Sequence, residues 1–178
     1  MDLGIRGIGL EWIACGSTSA LVDLLSGGAA GGRAVDELER FLPRRAIRRL
    51  DHFTQTALLA SFKAVEDADV RFDDGDRVGL VLGTGYGPLT TTFGFQDSII
   101  ADGDQGASPT LFANSVHNAL ASALSIAMKI TGPCLTLTMF EQTPAEVFRT
   151  AHRWLADDIV DYVLVGVGDE TCPALLHA

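Results

Sequence analysis

An acidic side chain stands where a strand gives way to a helix. In "TGPCLTLTMFEQTPAEVFRTAHRWL", residues 131–155, a buried-strand pattern turns helical, and Glu141 lies at the join. The first side chain past such a corner is thrust outward at a helix N-terminus, where the backbone dipole favours negative charge, and such corners seat nucleophiles. A carboxylate there also has an ordinary use, stabilising the helix dipole by about 0.3 to 1 kcal/mol. Thr143 as N-cap, Pro144 at the first helical position and Glu146 three residues after Thr143 read as a capping box. On local chemistry alone Glu141 is structural.

The other chemistry-bearing residues are weaker candidates. Cys134 opens the strand rather than following it, where a small buried thiol is the ordinary reading. His117 in "NSVHNA" and His152 in "RTAHRW" fall on predicted helices with no evident partner. "GTGYGP", from Gly83, follows a buried strand but spaces its glycines G-x-G-x-G and then has proline, unlike the dinucleotide fingerprint. No phosphate-loop pattern occurs, and four scattered histidines define no metal site. We therefore expect no cofactor and no metal.

The elements that must position these residues follow from periodicity. Residues 3–14 alternate as a strand, "TSALVDLLSG" reads as a short helix, and the glycine-rich loop at about 27–34 cannot hold regular structure. Apolar residues from Arg44 to Asp69 recur at helical spacing, giving one long amphipathic helix. "RVGLVLGT", 77–84, is a continuous apolar run, as expected of a central strand covered on both faces. A modest helix follows in "LTTTFGFQDSIIADG", and one longer helix in "SPTLFANSVHNALASALSIAMKI". "CLTLTMF" is a strand, 144–157 a helix, and "DYVLVGVGDE", 161–170, another apolar strand. Strands alternating with helices predict an α/β domain with a largely parallel, doubly covered sheet.

Composition narrows the function. A chain of 178 residues most simply makes one domain. Hydrophobic residues make up 47% and the mean hydropathy is +0.24, which points to apolar surface buried against a partner. The net charge of −10 would repel nucleic acid, although "RRAIRR", Arg44 to Arg49, is locally basic. Three cysteines without a CxxC pair point to reduced thiols. No run approaches a membrane span and no export signal is evident. We expect a cytoplasmic protein that binds neither nucleic acid nor membrane.

The stretch 131–170 resembles the nucleophile region of β-ketoacyl-acyl carrier protein synthases, of the thiolase-like fold. That family reads G-P-x-x-T-x-x-T-A-C-x-S-G, a helix, then a D-x-x-x-x-G-G-x-E strand; Gly132, Pro133, Thr136, Trp154, Asp161, Gly166 and Glu170 match without a gap. "RLDHFTQTALLASFKAVEDADV" resembles the family's D-R-F-T-Q helix, and "RVGLVLGTGYGPL" its G-T-G-x-G strand and turn. The resemblance implies an α/β, thiolase-like N-terminal half over residues 1–178, with a mixed, mostly parallel sheet covered by helices on both faces. It also puts Glu141, with Gln142 beside it, at the acyl-accepting cysteine's position. A carboxylate is a far poorer acyl carrier than a thiolate.

The family's catalytic histidines belong to a second half with no counterpart here, so no catalytic residue is expected. By this likeness the protein is nearest to chain-length factors, which pair with an active ketosynthase, and "FEQT" is reminiscent of their "EQ". The implied partners are a full-length ketosynthase in a heterodimer, or a second copy, and an acyl carrier protein. Phe112, Asn114, His117, Met139 and Phe140 become candidates for an acyl tunnel or interface. The alternative is an acyltransferase or malonyl-thioester decarboxylase acting on carrier-bound substrates. The sequence is also compatible with a piece of a longer chain.

Overall fold

The computed structural model describes residues 4–8, 37–170 and 172, in two units, Met1–Gly75 and Asp76–Ala178. Of the strand expected over residues 3–14, residues 4–8 are described and belong to no strand. Its remainder, the "TSALVDLLSG" helix and the 27–34 loop lie outside the described residues.

In the first unit the single helix expected from Arg44 to Asp69 is two, α1 (Arg44–Ile47) and α2 (His52–Ala68). Asp51 causes the break. Its carboxylate accepts the Thr54 N–H at 2.8 Å and the Thr54 hydroxyl at 3.1 Å, which starts a new helix instead of extending the old one. The Gln55 amide donates back to the carbonyls of Leu50 at 2.9 Å and Ile47 at 3.3 Å, closing the end of α1. The D-x-F-T-Q pattern is therefore a helix start, with Phe53 as its buried apolar residue. Along α2, Leu58 and Leu59 are buried, while Lys63 pairs with Glu37 at 2.9 Å on the polar side. Phe41 stacks on Phe62 with ring centroids 4.6 Å apart.

The second unit contains β1 (Val78–Gly83), α3 (Leu89–Asp102), α4 (Pro109–Ser115), α5 (Ala119–Met128), β2 (Cys134–Leu137), α6 (Thr143–Ala156) and β3 (Tyr162–Val167). The three strands are parallel in the order β2-β1-β3. Leu80 pairs with Cys134 on one side and Leu164 on the other. Every residue of β1 is buried, as its continuous apolar run requires. From β1 the chain crosses to one side for β2, then back over β1 for β3. Right-handed crossovers then put α5 and α6 on opposite faces of the sheet.

Glycine decides how closely α6 packs. A Cβ on Gly83 would lie 2.5 Å from Thr143 Cγ2 and 2.6 Å from Val147 Cγ2, and one on Gly79 would lie 2.8 Å from the Trp154 ring. The bare backbone of β1 thus receives three α6 side chains. Among the described residues β2 and β3 are the outer strands and only partly covered, with Tyr162 and Val167 exposed at the two ends of β3.

Two further expectations are corrected. The helix expected through Asn114–Ile130 breaks between α4 and α5: the Ser115 hydroxyl donates to the Phe112 carbonyl at 2.9 Å and Val116 is extended. Short polar side chains that bond their own backbone compete with helix continuation in this way. The strand expected to reach Phe140 leaves the sheet after Leu137.

Arg77, at the entrance to β1, holds the turn between α6 and β3. Its guanidinium donates to Asp161 Oδ1 at 2.6 Å, Asp158 Oδ1 at 2.8 Å and the Asp158 carbonyl at 3.0 Å. The hydrogen bond from Arg77 holds the Asp161 carboxyl below its ordinary range. A lowered folded-state value contributes stability that is complete above the unfolded carboxylate value, about 3.9, and is lost as pH falls through the folded one. Asp161→Asn is therefore expected to lower the thermal midpoint at pH 7, with the deficit relative to the parent shrinking below about pH 4; a pH series of melting curves reads it.

Candidate functional site

At the C-terminal edge of the sheet, β1 runs into the turn Thr84–Pro88 and β3 into Asp169 and Glu170. The Asp169 carboxylate accepts the Thr84 hydroxyl at 2.5 Å, the Gly85 N–H at 3.0 Å and the Tyr86 N–H at 2.8 Å. The Gly87 N–H donates to Thr84 Oγ1 at 2.8 Å. Glu170, buried, accepts the Thr90 N–H at 2.9 Å in the first turn of α3. The donors that a phosphate would need on a glycine-rich turn are thus occupied by the chain's own oxygens. Gly87, at φ +68°, turns the backbone under His117, whose ring a Cβ there would meet at 2.9 Å.

The corner after β2 faces this turn. Phe140–Gln142 form one 3-10 turn that leads into α6. Phe140 has φ +49° and its ring meets that of Tyr86 edge-on, centroids 5.7 Å apart. Glu141 and Gln142 are exposed beside it, at the N-terminus of α6 where the dipole favours the carboxylate. Thr143 is the first residue of α6 and not its N-cap, a position that Gln142 takes without a side-chain bond. The buried Thr143 hydroxyl instead accepts the Met139 N–H at 2.9 Å, drawing the corner tight. Glu146 pairs with Arg149 and closes no capping box.

Of the sequence candidates, Met139 and Phe140 lie together at this corner, and His117 lies under the facing turn. His117 sits between α4 and α5 rather than on a helix. Phe112 belongs to a different contact, its ring 5.4 Å from that of Phe95 on α3. Asn114 is half-buried on α4, and His152 is exposed on α6. Cys134 is exposed on edge strand β2, correcting the expectation of a buried thiol. Desolvation of its sulfur nonetheless raises its pKa, which favours the thiol over the nucleophilic thiolate. Two residues that organise the site, Asp169 and Tyr86, were not singled out from the sequence. The signal for Asp169 was an acidic residue ending an apolar strand; Tyr86 carried none beyond its place between two glycines.

Asp169→Ala removes hydrogen bonds to a charged acceptor and is expected to cost about 2 kcal/mol in urea unfolding, with faster amide exchange at Gly85 and Tyr86. The Cys134 thiol is expected to react with iodoacetamide at pH 7 more slowly than a free cysteine, and to accelerate only at higher pH than free cysteine does, as a pH–rate profile will read.

Residues 31–178 match the family model described as beta-ketoacyl synthase, N-terminal domain. The 3-oxoacyl-[acyl-carrier-protein] synthase 2 of Vibrio cholerae is 24% identical over 141 residues, 78% of this chain and 34% of the relative. Its Staphylococcus aureus counterpart is 27% identical over 132 residues, 69% of this chain and 32% of the relative. The chain thus spans about a third of the length of these relatives. Among solved structures, an acyl-carrier protein of a type II PKS in complex with its ketosynthase bound to the hexaketide superposes with TM-score 0.81 at 16% identity, covering 97% of this chain and 51% of that one. The ishigamide ketosynthase/chain length factor superposes with TM-score 0.77 at 16% identity, covering 97% and 48%. A ketosynthase in complex with its chain length factor from Xenorhabdus doucetiae gives 0.71 at 18% identity, covering 99% and 71%. The fold is therefore thiolase-like, and this chain belongs to the beta-ketoacyl synthase N-terminal domain family.

Proposed function

We propose that the protein is a non-condensing member of this family, a chain-length-factor-type subunit that partners an active ketosynthase in polyketide or fatty-acid-like biosynthesis. The observation that carries the reading is the corner itself. The gapless register from Gly132 and Pro133 puts Glu141 where the enzymes hold cysteine, and the side chains exposed there are Phe140, Glu141 and Gln142. None is a thiol, and a carboxylate does not sustain acyl transfer at the rate of a thiolate. The neighbours solved as ketosynthase and chain-length-factor complexes support the same reading.

In this role the protein acts through surface. The edge strand β2, with Leu135 exposed, and the segment from Asn114 through α5 pair with the synthase. Phe112, Asn114, His117, Met139 and Phe140 are the residues through which the subunit shapes the acyl tunnel. Arg44, Arg45, Arg48 and Arg49, clustered on and just after α1, would attract an acidic carrier protein by steering. No helix among the described residues is long and apolar enough to span a membrane.

Co-expression with the full-length ketosynthase encoded nearby is expected to give a stable 1:1 complex by native mass spectrometry, and the chain made alone is expected to self-associate. A monomer that binds no such synthase would overturn the proposal. Purified alone and supplied with malonyl- and acetyl-thioesters, the chain is expected to show no turnover. Turnover abolished by Glu141→Ala would instead establish the acyltransferase or decarboxylase alternative.

A further inference from the structure

We draw no further inference here: the strongest candidate, the surface depression walled by Arg44, Arg45, Arg48 and Arg49 on and just after α1, belongs to the basic patch already given above to the steering of an acidic carrier protein, and nothing else in the structure points to a different anion there.

Discussion

One carboxylate fixes the geometry of the functional edge. Asp169 reaches from the end of β3 to the turn after β1 and takes the Thr84 hydroxyl with two successive backbone N–H groups. Each of these would otherwise be an unpaired polar group in a part-buried turn, and an unpaired group costs more than the bond it lacks gives. The turn sets where Tyr86 meets Phe140 and where Gly87 lets His117 close over it. Glu170, next in sequence, starts α3 from the same strand end. Two adjacent acids thereby couple β3 to β1 and to the helix beyond. At the opposite end of the sheet the charges are reversed: Arg77 enters β1 and gathers Asp158 and Asp161 from the α6–β3 turn. Nothing but neighbouring strands of a parallel sheet separates these two clamps, so the register of β1 against β3 is set at both ends.

On the proposed reading, the corner is a scaffold that outlasts its chemistry. A strand-to-helix turn with a strained residue and a helix dipole behind it lowers the pKa of a thiol and aims it at substrate. The same geometry given a carboxylate stabilises a charge that is already the ordinary form and activates nothing. What remains useful is rigidity. Thr143 ties the corner to its own helix through Met139, and Gly83 lets that helix sit directly on β1. Side chains displayed from such a support lose little freedom when a partner covers them, which is what makes a few exposed residues worth more than a larger mobile patch.

Much of this was legible in the sequence, and the failures have physical reasons. The central strand Val78–Gly83 was plain because burial on both faces leaves a continuous apolar run. The alternation of strands and helices gave the layered class, and the family motifs gave the thiolase-like fold. Boundaries failed where a polar side chain competes with the helix: periodicity ran straight through Asp51 and Ser115, since neither interrupts the apolar stripe and both act by bonding nearby backbone. Thr143 and Glu146 had the spacing of a capping box, but the chain enters α6 through a 3-10 turn, which leaves the Thr143 hydroxyl nearer Met139 than the helix start. Cys134 looked buried because strand residues are buried on average, and only sheet order shows β2 to be an outer strand among the described residues. The left-handed backbone at Phe140 had no sequence signal, because position-specific φ is announced by glycine or asparagine and here it falls on neither.

The placement of apolar surface carries the functional argument beyond the corner. On α6 the exposed side chains are mixed, Arg149, His152 and Arg153 with Phe148 among them. Several exposed large apolar residues fall between the glycine turn and the corner, Phe112, Val116, Ile126, Leu135 and Phe140 among them, and others lie on α6 and β3. Leu135 lies on β2, an outer strand among the described residues whose "CLTL" carries no charge, although edges that must remain unpaired are ordinarily blunted by lysine, proline or a bulge. Scattered apolar residues need no explanation, but an unblunted outer strand with an exposed leucine, in a chain with a net charge of −10, does. β2 itself carries no charged residue, and the negative charge nearest to it in sequence is the exposed Glu141 at the corner that follows.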